Sequence, residues 1–179
     1  MRKFFRRKLL VGGLFVVTSV ASFAPTQAAT PKKLGPKSYI AKYKELSIDL
    51  MNETGVPASV ILGVAMLESG LGSSKNAQLL KNHFGIVGRN NLAKRGMTYR
   101  SMYREYASVE DSYKHFVKIV QRKSWFSKVR GTPDHMVWLK YMIKTGYSSA
   151  GQTWINRVSN IIKKYNLEAL DHQNSVAIH

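Results

Sequence analysis

The stretch Ile61-Leu62-Gly63-Val64-Ala65-Met66-Leu67-Glu68-Ser69-Gly70-Leu71-Gly72 constrains this chain more than any other. Eleven of its twelve residues are apolar or small, and Glu68 is the exception. A run of that kind must lie in a core, and an acid at its end is costly to bury unless it has a partner or a task. Thr54-Gly55-Val56-Pro57 precedes it as a break. Pro57 suits a first helical turn, where its missing N–H is no loss. Val60, Val64, Leu67 and Leu71 then form one apolar stripe, with Ile61, Ala65 and Glu68 beside it. Glu68 therefore falls in the last turn, next to the buried face, and Gly70 or Gly72 ends the helix.

The flanking chain reads as mainly helical. A helix from Ser38 to about Asn52 places Ile40, Tyr43, Ser47 and Leu50 on one face, and Glu45, Asp49 and Glu53 on a solvated one. Ser74 to about Lys81 is a short helix. From Gly85 to Tyr106 the helical period is lost, and Thr98–Tyr106 alternates. Tyr99, Ser101, Tyr103 and Glu105 face one side; Arg100, Met102, Arg104 and Tyr106 face the other. That pattern predicts a strand or hairpin, and so a small β-lobe or extended arm inserted in a helical domain. Ser108, with Asp111 three residues on, opens the next helix, through Tyr113, Phe116, Val117 and Val120. Trp125-Phe126 packs in a turn. Thr132-Pro133-Asp134 starts a helix that Gly146 stops, and the last helix runs from about Gln152 to Tyr165.

The 179 residues suit one ordinary domain, and 44% hydrophobic content is enough for a core. The formal charge is +18, from 28 basic and 10 acidic side chains, which favours polyanionic partners. Cysteine is absent, which excludes disulfides, a thiolate metal site, a cysteine nucleophile and a lipidated cysteine anchor. Arg2, Lys3, Arg6, Arg7 and Lys8, the apolar run Leu9–Ala24 and the small-residue exit at Ala28-Ala29 have the three parts of a secretory signal. Residues 1–29 are expected to be that signal, with an uncleaved anchor as the alternative. Residues 30–37 form a basic linker, 38–171 the functional domain and 172–179 a disordered tail. Cleavage would leave no stable membrane span, a strongly basic exported protein and a weak case for nucleic acid as its partner. The expected location is the periplasm, the cell envelope or the exterior.

Elimination narrows the chemistry. There is no metalloprotease helix, phosphate-binding loop or nucleophile elbow. The five histidines show no ligand spacing, so no metal and no cofactor are expected. Glu45, Asp49 and Glu53 are solvated, Glu110, Asp111 and Asp134 sit at helix starts, and Glu168 and Asp171 lie near the C-terminus. Glu68 and Glu105 remain. Apolar surroundings raise a carboxyl pKa, which keeps it protonated and able to donate to a leaving oxygen. The residues alone leave Glu68 open between that task and a structural acid bonded at a helix junction. His83 either lines the site or packs, and Tyr99 and Tyr103 either stack on a ligand or sit in the core.

Five segments, in order, carry a resemblance. Ala65-Met66-Leu67-Glu68-Ser69-Gly70-Leu71-Gly72-Ser73-Ser74 resembles the A-x-L-E-S-G-x-G-x-S signature of the bacterial glucosaminidases of glycoside hydrolase family 73. Asn82-His83-Phe84-Gly85-Ile86 is similar to that family's N-x-F-G-I, and Tyr103-Arg104-Glu105-Tyr106-Ala107-Ser108, followed by Glu110, Asp111 and Ser112, is similar to its F-R-x-Y-x-S-x-x-E-S segment. Gly146-Tyr147-Ser148-Ser149 resembles G-Y-A-T, and Ile161-Ile162-Lys163-Lys164-Tyr165-Asn166-Leu167 resembles the closing I-I-x-x-Y-N-L.

The resemblance implies a lysozyme-like α+β fold, mainly α, with a cleft between the helical body and a small β-lobe. It implies an endo-β-N-acetylglucosaminidase that cleaves the β-1,4 bond after N-acetylglucosamine in peptidoglycan strands. Glu68 would be the general acid. Tyr147 and Phe84 would line the substrate site, with His83, Tyr99, Tyr103 and Tyr106 as further binding candidates. Family members often carry a second acid in the lobe, and Glu105 is this chain's candidate; an arginine-paired structural role is its alternative. Ser148-Ser149-Ala150 follows Tyr147 where many relatives have Ala-Thr-Asp, and Val87-Gly88-Arg89 replaces a lysine-containing continuation. The rivals are a lytic transglycosylase on the same substrate and an inactive wall-binding or assembly protein. The basic surface suits anionic envelope polymers.

Overall fold

The computed structural model describes residues 34–173; the expected signal, the linker up to residue 33 and residues 174–179 lie outside the described residues. Among the described residues seven α-helices follow one another: α1 (Pro36–Thr54), α2 (Ala58–Ser69), α3 (Lys75–Leu80), α4 (Val109–Gln121), α5 (Phe126–Val129), α6 (His135–Lys144) and α7 (Gly151–Lys164). A 3-10 helix, Leu167–His172, closes the described chain.

The apolar stretch forms the centre. Every residue of α2 from Ala58 to Met66 is buried, the behaviour expected of a helix that is apolar all round. Ile61, Leu62 and Val64 are fully enclosed, and each such side chain contributes about 1.5–3 kcal/mol of burial. α1, α7 and the 3-10 helix pack directly on α2, with α4 and α6 completing the shell. Gly63 sets the distance to α7. A Cβ there would meet Ile162 Cγ1 at 2.8 Å and Val158 Cγ1 at 3.5 Å, so only glycine lets the two helices come this close.

The ends of α2 are fixed from opposite directions. Pro57 is the N-cap rather than the first helical residue, and it has no side-chain acceptor to offer. Asp171 supplies one from the far end of the chain: Ser59 N–H donates to its Oδ1 at 2.8 Å and Ser59 Oγ to its Oδ2 at 2.6 Å. At the C-terminus Gly70 adopts φ +56° and closes the helix on Met66 and Leu67. A partly buried clasp holds the 3-10 helix in place. His135 meets Glu168 Oε1 through Nδ1 at 2.6 Å and Ser159 Oγ through Nε2 at 2.9 Å. Ser159 sits inside α7 and is buried, so this Ser-His-Glu set ties three elements together.

Other sequence signals read correctly. Ser108 and Asp111 form a reciprocal capping box at α4, Asp134 caps α6 through Met136 N–H, and Glu45, Asp49 and Glu53 are all exposed. The first helix begins at Pro36, within the expected linker. Trp125 is buried, stacked on Tyr141 at 5.4 Å, just before α5.

The expected small β-lobe is not formed. Among the described residues there is no strand, only an isolated antiparallel bridge between Val87 and Tyr103. The α+β expectation therefore reduces to a mainly helical domain with an irregular arm. The alternation holds as far as Glu105: Arg100, Met102 and Arg104 are exposed, while Tyr99, Ser101, Tyr103 and Glu105 are partly covered; Tyr106, expected on the exposed face, is buried instead. Two asparagines take over the ladder. Asn82 donates to Ile86 O and Arg104 O, both at 2.8 Å, and its Oδ1 accepts from Phe84 and Ile86 N–H. Asn90 donates to Ser101 O at 2.8 Å and Tyr103 O at 2.9 Å. Backbone bonds remain around the bridge: Gly88 N–H donates to Met102 O at 2.9 Å and Arg104 N–H to Ile86 O at 2.8 Å, the latter carbonyl shared with Asn82.

Candidate active site

Glu68 lies at the last turn of α2, partly covered. The following turn is held by its neighbour Ser69, which donates to Ala65 O at 2.6 Å and accepts from Gly72 N–H at 2.9 Å. That fixes the direction in which the helix end, and so Glu68, projects. Trp154, in the first turn of α7, donates its indole N–H to Glu68 Oε1 at 2.7 Å. Burial is the main influence on the Glu68 carboxyl and pushes its pKa above the ordinary value; the Trp154 hydrogen bond and the Arg157 charge pull the other way. A carboxyl that is desolvated but hydrogen-bonded on one oxygen is held in one orientation, and its neutral form is favoured.

The second oxygen faces the start of the arm. A Cβ on Gly85 would stand 3.4 Å from Glu68 Oε2 and 3.8 Å from Tyr103 Cε1. Gly85 has φ +65°, a conformation that glycine adopts without strain. Its missing side chain leaves the face of the carboxyl clear. Tyr147 closes the site from the loop before α7. Its ring lies 5.2 Å from that of Trp154, and its hydroxyl donates to Phe84 O at 3.0 Å. Burial, then the nearby Glu68 charge, raise the Tyr147 pKa well above its ordinary value. The phenol therefore stays protonated and pins the backbone at Phe84, next to Gly85.

Glu68, Tyr147, Tyr103 and the backbone of Phe84-Gly85 thus come together. The Phe84 ring does not line the site: it is buried and stacked on Phe116 at 4.3 Å. Tyr106 is buried beside the site, bonded to His115 Nδ1 at 2.7 Å, with burial pushing its pKa up to about 12. Tyr99 turns to α3, donating to Asn76 Oδ1 at 2.9 Å. Glu105 is engaged within the arm: Oε2 accepts from Asn91 N–H at 2.7 Å and Oε1 pairs with Arg95 at 2.9 Å. His83 packs behind the site among Tyr39, Tyr43 and Tyr113. Sequence reasoning missed Trp154, whose position reads as ordinary core, and the Asn82 staple, although Asn82 stands in a matched segment.

The same fold occurs in solved glycan-degrading enzymes. The catalytic domain of the autolysin Auto from Listeria monocytogenes superposes with a TM-score of 0.58 at 22% identity, covering 82% of this chain and 92% of that one. The glycoside hydrolase domain of Salmonella typhimurium FlgJ gives 0.56 at 17% identity, covering 76% and 91%. A peptidoglycan hydrolase from Sphingomonas sp. A1 gives 0.58 at 17% identity, covering 80% and 99%. No curated protein matches the sequence. These likenesses show a fold shared with a glycoside hydrolase domain. More narrowly, residues 44–167, over half of the chain, match the Glucosaminidase family, described as mannosyl-glycoprotein endo-beta-N-acetylglucosaminidase, and the protein belongs to that family.

Proposed function

We propose that the protein is an exported peptidoglycan hydrolase that cleaves the β-1,4 bond after N-acetylglucosamine, with Glu68 as general acid. The observation that carries this reading is the Trp154–Glu68 hydrogen bond at 2.7 Å within a desolvated site. Because Oε1 accepts the indole N–H, the carboxyl proton resides on Oε2, the oxygen that faces the space left by Gly85. That proton passes to the glycosidic oxygen as the C1–O bond breaks, and the bonding electrons leave with the oxygen. Positive charge at C1 is then quenched by water or by the substrate's own acetamido oxygen. Tyr103, beside Gly85, offers its ring to a sugar face, and Tyr147 holds the Phe84-Gly85 backbone at its distance from the acid.

Glu105 acts as a base on that water only if it leaves Asn91 and Arg95. A single acid with its candidate partner so engaged also suits a lytic transglycosylase, in which the substrate's own hydroxyl attacks C1. Mass spectrometry of digested peptidoglycan separates the two. Reducing N-acetylglucosamine ends support the glucosaminidase, and anhydro-muramic ends would replace it with the transglycosylase. Among the described residues no helix is long and apolar enough to cross a membrane. Export rests on the N-terminal sequence pattern and on the location of the proposed substrate, and the basic surface suits anionic envelope polymers there.

A further inference from the structure

Behind the catalytic turn lies a second hollow of about 280 Å³ that the proposed hydrolysis does not use. Leu34, Leu71 and Val109 give it apolar walls, and Lys42, Gln78 and His83 supply polar groups. No acid lines it. His83 is 97% buried, with only 3% of its surface exposed, and its proton can be placed from the network around Tyr39. Tyr39 Oη lies 2.6 Å from His83 Nδ1, 3.0 Å from Tyr113 Oη and 3.3 Å from Ser69 Oγ. Ser69 gives its proton to Ala65 O at 2.6 Å. Tyr113 is fully buried and has no other acceptor among the described residues, so its hydroxyl donates to Tyr39. Tyr39 in turn donates to His83 Nδ1, since the reverse order would orphan a buried donor. His83 is neutral: burial, aided by the Lys42 charge, lowers its pKa to about 4. Its one proton is therefore on Nε2.

That N–H has no hydrogen-bond partner among the described residues. No buried side-chain nitrogen or oxygen among them lacks a partner, so Nε2 must reach solvent. It lies on the Gly72 side of the ring, where a Cβ would stand 3.6 Å from Cε1 and 3.8 Å from Nε2. Gly72 is itself part of the hollow's wall. The solvent-reaching nitrogen of a side chain otherwise 97% buried thus points, with no protein partner among the described residues, into a cavity with one ammonium and no acid. One full positive charge and neutral donors match a monoanion; a dianion would be left half compensated.

We propose that this hollow binds a carboxylate, held by His83 Nε2–H and Lys42, with a short apolar substituent packed against Leu34, Leu71 and Val109. Its volume is just under the range of about 300–1,000 Å³ typical of small-molecule sites, so it accepts one residue-sized group rather than a chain. The carboxylate end of a wall peptide has this chemistry, as does a free small acid. The site stands without the proposed hydrolysis; only the wall-peptide source rests on that reading.

The test is titration of the protein with N-acetyl-D-alanine, its neutral amide and sodium acetate, read by the His83 imidazole ¹H–¹⁵N signal and by calorimetry. N-acetyl-D-alanine is expected to shift the Nε2–H signal with a Kd on the order of 1 mM, and the amide to bind at least about tenfold more weakly. The exposed substitution Lys42→Gln should weaken binding by a similar factor, whereas Glu68→Gln should leave it intact, which separates this site from the catalytic one. Acetate matching N-acetyl-D-alanine would uphold the carboxylate site and overturn the peptide source. An unshifted His83 signal with every carboxylate, or equal binding of the amide, would overturn the proposal.

Discussion

Gly63→Ala probes how the Glu68–Trp154 hydrogen bond is assembled from two helices. The new Cβ would lie 2.8 Å from Ile162 Cγ1 and 3.2 Å from its Cδ1, against about 3.5–4.0 Å for a relaxed carbon contact. Ile162 is fully buried and cannot swing away. Overpacking of this kind costs about 1–3 kcal/mol, offset by about 1 kcal/mol because alanine favours a helix over glycine. The net loss is up to about 2 kcal/mol, or a Tm lower by up to roughly 8 °C for a domain of this size. If α7 is pushed outward, Trp154, about 12 Å along it, moves away from Glu68. A displacement near 1 Å at a reacting group can cost about 100-fold, so glycan hydrolysis should fall by about 10- to 100-fold. Thermal denaturation and turnover of purified peptidoglycan are measured for Gly63→Ala, Ile162→Ala and the double variant. Relief of the clash should make the pair non-additive by about 1–3 kcal/mol. Additive effects, or a Gly63→Ala protein with unchanged Tm and turnover, would refute the reasoning.

Trp154→Phe removes the hydrogen bond that lowers the Glu68 pKa, so that pKa rises further. A general acid works while protonated, so the alkaline limb of the pH–rate profile should move to higher pH while the maximal rate falls; a limb that stays or moves down contradicts the assignment. Asp171→Ala removes both bonds to Ser59 that cap α2 and should cost about 1–2 kcal/mol in chemical denaturation. Asn82→Ala removes four hydrogen bonds and should cost about 2–4 kcal/mol at roughly 1 kcal/mol each. Its arm amides at Ile86 and Arg104 should exchange hydrogen faster than those of α2.

The sequence made the local physics legible and the long-range pairing illegible. Glu68 stood out because an acid interrupted an apolar run, and Gly70, Ser108 and Asp134 announced the helix ends they form. The helix α7 was visible, but nothing near Trp154 says that its N–H meets a carboxyl 86 positions away. Asp171 looked like a terminal acid, yet it caps the central helix because Pro57 has no side-chain acceptor to do so. The alternation at Thr98–Tyr106 gave the two faces as far as Glu105 but not the burial of Tyr106. It could not reveal that Asn82 and Asn90 would hold the arm through its carbonyls. The segment matches brought Asn82, Phe84 and Tyr147 forward together, but only packing separates the staple, the core ring and the residue beside the acid.

The most direct test of the central claim is the rate of peptidoglycan hydrolysis by Glu68→Gln beside the unsubstituted protein. Gln keeps an oxygen to accept the Trp154 N–H but has no proton to give. The folded-state pKa of Glu68 is raised, so the stability linked to its protonation is present at low pH and lost as pH rises through that pKa. The neutral amide escapes that loss, and the variant should melt at the same temperature as the parent or higher near neutral pH. A folded Glu68→Gln protein with hydrolysis reduced by at least about 100-fold, the lower end of the range for general acid–base catalysis, is the expected result. Undiminished release of reducing N-acetylglucosamine ends by that folded variant would contradict the assignment of Glu68 as the general acid.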